Sequence, residues 1–528
     1  MIYNTDELPL PPFTIMKSFF LTGVSIMLLS ILPLKAGVSY RVVSPNQLKP
    51  IIFGFLEDNK NLSEKKTTDR LKEFLIKQGF TFAQVSISET AGVSTLEVKP
   101  GFMGKAKVAG NEYLGEESIL DNLSWNTGEP FNYSKFHSQS SRLNKYRFVQ
   151  VDSKLKPVRG HNGEVQVDAN FNVKDQYPIS PYVKVSNDGT DQSSGWRSTV
   201  GFEVWESFLA NDRMNFSYTL DPKDASQLSS YFASYQFSYD GFSHSLYAGY
   251  SDSEYENVTS SSLDMDIAGD GFFAGYSGLF FLDADNPDSL AFSFGVSYLD
   301  LSSQIYLGSN NLLASDEDLS LFLPRVGFQG KFSNPGGLQG SSFWSIGVIS
   351  DVSSSDEQEL IVQNPEIKKG FYVPRISLVV VEPITISDQN GGIKLKVDAQ
   401  SSNKPLPTSL KKSIGGMSSI RGYREREAYG DSGISMNFEY SLASEATSIF
   451  GLDGNLQKVF FYDAGYVSNE GLMAAANDSV GMQSFGAGLL GNFEDNTDIS
   501  LQVGVPITDT LNTSSYDARA HFSINFRF

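Results

Sequence analysis

The chain ends with the sequence ARAHFSINFRF, residues 518–528. Apolar and polar side chains alternate along it, and this period of two places successive side chains on opposite faces of a β-strand. One face is apolar, at Phe522, Ile524, Phe526 and Phe528. The other is polar, at Arg519, His521, Ser523, Asn525 and Arg527. The stretch therefore predicts a strand with one apolar and one polar surface.

The same alternation recurs throughout residues 177–528, where no helical period is present. Turn clusters such as DPKD and NPGG, and longer polar loops, separate sixteen such segments. They span residues 179–188, 196–208, 213–222, 228–240, 243–256, 264–281, 289–307, 319–333, 341–352, 370–385, 391–401, 433–442, 456–468, 483–493, 497–507 and 516–528. An even number of strands of about 10 residues, with short turns on one side and longer loops on the other, is typical of an outer-membrane barrel.

A soluble β-protein would also alternate, so composition and context decide between the two. The chain contains 39 Phe and 24 Tyr, while charged residues make up only 19%. In lipid every backbone polar group must be paired, which a closed barrel achieves and an open sheet does not. The predicted fold class is a membrane β-barrel with 16 antiparallel transmembrane strands, preceded by two small domains.

The N-terminus carries an export signal. Lys17 precedes the apolar run FFLTGVSIMLLSILPL, and residues 34–36 form a small-residue cleavage site. This run is shorter than the roughly 20 residues of a membrane-spanning helix, so it predicts a cleaved signal peptide over residues 1–36 rather than an anchor. Met16 is a possible true start. No other apolar run of that length occurs, which argues against further helical spans.

Residues 38–101 and 102–176 repeat one order of predicted elements, β-α-α-β-β. In the first segment the strand SYRVV precedes helices in NQLKPIIFGFLED and SEKKTTDRLKEFLIKQGF, and the strands FAQVSISE and STLEVKP follow. Leu71, Phe74 and Leu75 share one face of the second helix. Each segment is therefore predicted to fold around a small core of its own.

Several function classes find no support in the sequence. The net charge of −20 argues against nucleic acid as a partner, and the absence of Cys excludes thiolate metal sites and thiol nucleophiles. The histidines lie in different predicted elements, at His137, His161, His244 and His521. No nucleophile elbow or phosphate-binding glycine loop occurs. We therefore predict no enzyme activity, no metal site and no cofactor.

Two motifs stand out within the predicted barrel. Residues 402–432, between predicted strands 11 and 12, contain SIGGMSSIRGYRERE, and predicted strand 13 reads VFFYDAGYV. Alternation directs Asp463 of that strand into the lumen, where a carboxylate needs water or a cation, and Arg421 offers a two-pronged partner. Gly422 and Gly465 would allow the loop tip to approach the wall. The residues alone leave open whether Arg421 instead lies on an exposed loop while Asp463 faces water.

These features together resemble the outer-membrane transporters of two-partner secretion (TpsB), of the haemolysin secretion and activation type. Such transporters have polypeptide-transport-associated (POTRA) domains in the periplasm before a sixteen-stranded barrel. In this superfamily the loop after strand 11 folds into the barrel and carries an (Ile/Val)-Arg-Gly-(Tyr/Phe) tip, matched here by Ile420, Arg421, Gly422 and Tyr423. Strand 13 carries Phe-x-Asp-x-Gly, matched by Phe461, Asp463 and Gly465. The resemblance implies that Arg421 pairs with Asp463.

The resemblance also implies a function and partners. The expected activity is secretion of a partner exoprotein, captured unfolded by the POTRA domains and passed through the lumen. Outer-membrane lipid and the barrel-assembly machinery are further expected partners, with Phe528 as the C-terminal assembly signal. The alternative is an insertase of the same superfamily, which folds other barrels into the membrane. Family members commonly have an N-terminal helix that plugs the pore, but here the first domain directly follows the cleavage site.

A capture site is predicted in the second domain, because an unfolded chain can add as a strand to an exposed sheet edge. The candidate edge is RFVQVDSKL, with Arg147, Val149, Val151 and Leu155. Phe136 and Leu143 are the candidate lining of an adjacent groove. Their alternative role is in the core of the domain.

Overall fold

The computed structural model describes residues 40–528, apart from short gaps. The gaps are residues 60–61, 91–92, 145, 147, 161–162, 191–193, 210–211, 240, 261–262, 283–289, 308–311, 336–337, 353–366, 368, 387–388, 450, 472–478 and 495. The predicted signal peptide, the possible start at Met16 and the edge residue Arg147 lie outside the described residues.

The first small domain has the predicted order of elements. They are β1 (Tyr40–Val43), α1 (Lys49–Asp58), α2 (Glu64–Lys77), β2 (Gln84–Thr90) and β3 (Val93–Lys99). β3 lies at the centre of the sheet, parallel to β1 and antiparallel to β2. Leu71 and Leu75 of α2 are fully buried against it. Gly79 follows the C-terminus of α2, and its φ of +93° is typical of the residue after a helix cap.

The second small domain repeats this order. Its elements are β4 (Phe102–Ala109), α3 (Glu116–Asn122), α4 (Tyr133–Leu143), β5 (Val149–Arg159) and β6 (Val165–Asp175). β6 lies between β4 and β5, so β5 is at an outer position of the sheet. An aromatic cluster surrounds Trp125, whose ring centroid lies 5.8 Å from that of Phe136 and 5.4 Å from that of Phe171.

The barrel consists of strands joined in chain order and closed between the last and the first. They are β7 (Ile179–Ser186), β8 (Arg197–Trp205), β9 (Arg213–Leu220), β10 (Ser229–Tyr239), β11 (Phe242–Ser260), β12 (Leu263–Phe281), β13 (Ala291–Leu307), β14 (Leu312–Ser333), β15 (Ser341–Ser350), β16 (Tyr372–Ile386), β17 (Gln389–Gln400), β20 (Ser432–Ser441) with β21 (Glu445–Ile449), β22 (Leu452–Ser468), β23 (Ser479–Phe493), β24 (Thr497–Pro506) and β25 (Arg519–Arg527). β20 and β21 pair in succession with β22 and make one barrel strand. The predicted sixteen-stranded antiparallel barrel is confirmed.

The strand bounds lie within four residues of the predicted ones, with two larger differences. β14 begins at Leu312, seven residues before the predicted start, because its acidic residues 316–318 interrupt the apolar alternation while backbone pairing with β13 continues. β21 was not predicted, since the sequence there reads EATSI and presents no apolar face. Pairing with a neighbouring strand, rather than side-chain pattern, determines where these strands end.

The outward face of the barrel is apolar. Directly opposed residues of neighbouring strands share a face, and Tyr231, Tyr250 and Phe272 stand opposite one another and are each exposed. Phe460 and Tyr466 of β22 are exposed on the same side of the wall. An apolar belt of this kind is suited to contact with lipid. Among the described helices, none is long and apolar enough to span a membrane.

By contacts the chain divides into two compact units. One contains residues 40–109, 123–142 and 151–172, and the other contains residues 110–122, 143–150 and 173–528. Within the second unit, Glu206 in the turn after β8 accepts hydrogen bonds from Ser118 Oγ (2.7 Å) and Asn122 Nδ2 (3.1 Å) of α3. The Trp205 and Phe148 ring centroids are 5.2 Å apart. α3 is thus fastened to the barrel at this turn.

Replacing Leu71 by Ala is expected to destabilise the first domain by about 2–5 kcal/mol, because it leaves a cavity in a small core. Faster hydrogen exchange of the α2 amides in the full-length protein would measure the loss. Lys72→Ala is the matched control, since Lys72 is exposed on the same helix and its replacement costs less than about 0.5 kcal/mol. Equal exchange rates in the two variants would contradict the assignment of Leu71 to the core.

Candidate functional site

The loop of residues 401–431 leaves β17 and turns back to β20. It contains a 3₁₀ turn (Thr408–Leu410) and a short hairpin of β18 (Lys412–Ile414) and β19 (Ala428–Gly430). Asp431 anchors its base, because its buried carboxylate accepts hydrogen bonds from the Leu406 and Glu470 N–H groups, each at 2.8 Å. Lys411 Nζ lies 3.3 Å from the same carboxylate.

The tip of this loop is a compact turn held by its own backbone. Gly416 N–H donates to the Ile420 carbonyl at 3.0 Å, and Ser419 Oγ donates to the Gly415 carbonyl at 2.9 Å. Gly415 and Gly416 have φ values of +106° and +92°, a region that L side chains rarely adopt. The glycine pair therefore allows the chain to reverse and present Arg421 to the barrel wall.

Arg421 and Asp463 make a two-pronged contact inside the barrel. Arg421 Nε donates to Asp463 Oδ2 and Nη2 donates to Oδ1, both at 2.7 Å. The Arg421 backbone N–H donates to Oδ2 as well, at 3.0 Å. Asp463 is fully buried and Arg421 is 4% exposed. The motifs of the loop and of predicted strand 13 implied this pairing, and the structure places the two residues in direct contact.

The other guanidinium nitrogen of Arg421 has two further partners. Nη1 donates to Glu439 Oε1 at 2.6 Å and to Gln502 Oε1 at 2.7 Å. The Phe461 ring lies beneath the guanidinium, with its centroid 3.6 Å from Cζ. A planar, delocalised cation can stack in this way while it donates in its own plane, which an ammonium group cannot do. The site therefore suits arginine rather than lysine.

Gly422 brings the tip against the backbone of β24. Its φ is +95°, and a Cβ built there would lie 2.9 Å from the Gly504 carbonyl carbon. A Cβ on Gly504 would in turn lie 2.5 Å from the Gly422 nitrogen. The Gly422 N–H donates to His521 Nε2 at 2.9 Å, so this nitrogen of His521 is an acceptor.

Ile420 and Tyr423 flank Arg421 and Gly422 in the sequence and belong to one buried apolar cluster. Ile420 packs against Gly465, where a Cβ would lie 3.0 Å from Ile420 Cδ1. The Tyr423 hydroxyl lies 2.8 Å from the carbonyl oxygens of Gln483 and Thr508. Both Ile420 and Tyr423 are fully buried. All seven motif residues named from the sequence thus belong to one contact region.

Sequence reasoning missed several residues of this region. Glu439, Gln502, His521 and Gly504 lie on β20, β24 and β25, and no local motif marks any of them. Alternation in the sequence placed His521 on the polar face of the last strand, and this pattern was the sequence signal that pointed to it. A further contact holds the loop on its other side, where Glu427 accepts hydrogen bonds from the Thr510 and Thr513 hydroxyls.

The predicted capture residues are mostly buried in the second domain. Phe136 is 8% exposed and Leu143 is 2% exposed, so their side chains do not line an open surface. Val149 and Val151 of β5 also point inward, and Leu155 is half-buried. β5 itself lies at the outer position of the sheet.

The described residues contain no group of three metal-ligating side chains that could hold a metal ion.

Phe528 closes the seam between the last and first strands. Its N–H donates to the Pro181 carbonyl at 2.8 Å, and its side chain is exposed. The register of this seam pairs Arg527 with Tyr182 and Ser523 with Ser186.

Comparison with protein families gives a match over most of the chain. A model of the haemolysin secretion/activation protein family ShlB/FhaC/HecB matches residues 163–491. The chain belongs to this family. It is accordingly an outer-membrane transporter of two-partner secretion, with its POTRA-like domains in the periplasm.

Several solved structures have a similar fold. CdiB from Escherichia coli superposes with a TM-score of 0.76 at 16% identity, over 96% of this chain and 93% of that one. CdiB from Acinetobacter baumannii gives 0.69 at 17% identity, over 94% and 91%. BamA from Haemophilus ducreyi, lacking POTRA domains 1–3, gives 0.50 at 15% identity, over 93% and 100%. A comparison with curated proteins found no match.

Replacing Gly504 by Ala is expected to destabilise this transporter by about 1–3 kcal/mol, because the added methyl group meets the Gly422 backbone, which cannot yield without displacing the tip. Tryptophan fluorescence during urea unfolding would measure the change. Gly481→Ala on neighbouring β23 is the control, since its Cβ would have no atom nearer than 3.9 Å. A close approach of Gly422 is ruled out if both variants unfold like the parent.

Proposed function

We propose that the loop of residues 402–432 occupies the lumen of the transporter in its resting state, and that the Arg421–Asp463 contact fixes the position of this loop. The partner exoprotein enters unfolded from the periplasm, is captured along the edge of β5, and passes the barrel once the loop has shifted. The observation that carries the proposal is the buried two-pronged contact between Arg421 and Asp463.

The depth of burial is the first reason to assign this contact a gating role. The loop tip lies against β20, β22, β24 and β25 within the lumen, so a chain in transit must pass or displace it. Four guanidinium contacts and a ring contact hold Arg421, and breaking a buried pair on one side costs about 3–5 kcal/mol. An energy of this size gives a defined resting position, and binding of an incoming chain can offset it.

The second domain supplies the capture step in this proposal. β5 is at the outer position of its sheet, and its outward side chains, such as Asp152 and Lys154, are exposed. Backbone pairing along such an edge tolerates many sequences, which suits an unfolded partner. Capture then depends on the strand itself, while Phe136 and Leu143 support it from the core.

We also propose an assignment of the domains of this transporter and of its partners. Residues 38–101 and 102–176 are taken as the two POTRA domains and residues 177–528 as the barrel. Lipid covers the outward aromatic belt, and Phe528 serves the barrel-assembly machinery as a C-terminal signal. Transport proceeds without a catalytic reaction in the chain, and folding of the partner outside the cell supplies the free energy.

Arg421→Ala is expected to lower the free energy of unfolding by about 3–5 kcal/mol, because it leaves the fully buried Asp463 carboxylate without its charged partner. Asp463→Ala is expected to cost less, because Arg421 keeps its contact with Glu439. The double variant should lose less than the two single losses added together, since it removes both charges together. Urea unfolding in detergent micelles measures this coupling. Conductance in planar bilayers, measured on the same variants, reports whether the loop has left its resting position.

Arg421→Lys is the matched control for charge, because it keeps the cation but loses the fork and the ring contact. Secretion is scored as release into the medium of an exoprotein encoded beside the transporter gene. Additive effects of the single variants, with conductance unaltered, would remove the proposed role of the contact. Failure of any such exoprotein to reach the medium would instead favour an insertase.

A single cysteine at Asp152, labelled with a photo-crosslinker, is expected to capture the partner exoprotein during transit. The chain contains no Cys, so one introduced thiol gives one labelled site. Asp69→Cys, on the exposed face of α2, is the control and should give at least several-fold fewer crosslinks. Similar crosslinking from both sites would mean that β5 has no special part in capture.

A further inference from the structure

A group of basic side chains faces the lumen from β14 to β17, and it is called the cationic stripe below. Its members are Arg325 and Lys331 on β14, Arg375 on β16, and Lys394 and Lys396 on β17.

The register of the barrel fixes the direction in which these side chains point. Lys396 stands opposite Asn437, which stands opposite Asp463, the partner of the loop tip. In the other direction, a line of opposed residues runs from Lys396 through Val379 and Phe343 to Lys331. Because opposed residues share a face, Lys331 and Lys396 point into the lumen with Asp463.

The remaining members of the stripe follow from the same alternation. Lys394 and Arg325 lie two and six residues from Lys396 and Lys331 on their strands, so each points to the same side. Arg375 stands opposite Gln400, which is on the lumen side of β17. The stripe therefore covers one continuous part of the inner wall.

Acidic partners neutralise the stripe only in part. Lys396 lies 3.1 Å from Asp398, and Lys394 lies 3.8 Å from Glu439, which already accepts from Arg421. Within the described part of the chain, no ion pair joins Arg325 or Arg375 to a carboxylate. Arg375 Nε donates to Gln400 Oε1 at 3.0 Å, and the Arg325 guanidinium lies 5.8 Å from the Tyr247 ring centroid.

The stripe members also lie close to one another and to the loop. Arg325 is near enough to Arg375 for their like charges to interact, and Lys412 of the loop is near the Asp398 carboxylate as well as Lys396 and Arg375. Like charges in a partly enclosed space raise the potential there and attract anions. Lys394 and Lys396 are 53% and 40% exposed, so an anion in the lumen can reach them.

Acidic residues are concentrated elsewhere, although the whole chain has a net charge of −20. Residues 224–324 contain fifteen Asp or Glu and no Lys or Arg. Within β11 to β14, Asp252 stands opposite Asp270, and Ser302 stands opposite both Asp270 and Asp318. These four residues share the outward face of the barrel with Tyr250, which lies two residues before Asp252 on β11. The cationic stripe is therefore not a reflection of the overall composition.

We propose that the cationic stripe is a guide surface for an acidic polypeptide, so that the segments of the exoprotein that cross the lumen carry Asp and Glu in excess. The inference rests on the proposed translocation of an unfolded partner. An extended chain presents a side chain about every 3.3 Å, so carboxylates spaced along it can contact successive basic groups. Each contact is weak and solvated, which permits the chain to move on.

The test is the binding of a fluorescein-labelled oligo-glutamate peptide to the full-length transporter in detergent micelles, followed by anisotropy at low salt. The triple variant Arg325→Glu, Arg375→Glu, Lys396→Glu should bind about 10-fold more weakly or worse. The control triple Lys65→Glu, Lys72→Glu, Lys223→Glu makes the same change in net charge at exposed sites outside the lumen and should bind within about 2-fold of the parent. Added salt should weaken parent binding.

Several outcomes would overturn the inference. One is that the parent does not bind oligo-glutamate, and another is that the lumen triple binds as tightly as the control triple. A third is that inorganic phosphate, but not oligo-glutamate, binds in a stripe-dependent way, which would identify a small-anion or lipid-phosphate site. Slower migration of heated than unheated samples on SDS gels confirms that each variant has folded as a barrel.

The binding assay contains no exoprotein and is therefore independent of secretion. Oligo-glutamate binding that fails while secretion proceeds would refute only the acidic guide surface. If secretion fails while stripe-dependent binding persists, the proposal that a polypeptide is transported through this lumen would be refuted.

Discussion

The buried carboxylate of Asp463 is the constraint on which the interior of this barrel depends. Alternation along β22 directs it inward, and a fully buried charge is tolerated only with a partner that replaces its water. Arg421 provides that partner from a loop, so the loop must enter the barrel. The hairpin of β18 and β19, the glycine turn at the tip and the anchor at Asp431 all serve to deliver one guanidinium to this depth.

Steric fit and charge act together at this site. The guanidinium can reach Asp463 because Gly422 and Gly504 allow two backbones to touch and Gly465 leaves room for Ile420. The same approach brings the Gly422 N–H to His521, so this buried donor is paired. An arginine presented by a bulkier tip would stop short of the carboxylate. The glycines therefore contribute to the ion pair as directly as the charged residues do.

Much of this arrangement follows from the sequence, because local patterns specify it. Period-two alternation is a property of each strand alone, and it located the sixteen strands and the inward direction of Asp463. Glu439, Gln502 and His521 could not be found in this way, since they meet the loop tip at Arg421 and Gly422 only after barrel closure brings three distant strands together. β21 could not be predicted from the sequence because its pairing with β22, rather than its side-chain pattern, makes it a strand.

The cationic stripe bears on the cost of opening the loop. When Arg421 leaves, Asp463 and Glu439 face the lumen without their main counter-charge, and an incoming acidic chain would be repelled by them. Lys394 already lies 3.8 Å from Glu439, and Lys396 shares a line of opposed residues with Asp463. Their charge lowers the free energy of the exposed carboxylates and attracts the acidic chain at the same time. In the proposed mechanism, opening the loop and admitting an acidic partner therefore depend on one electrostatic surface, which favours their occurring together.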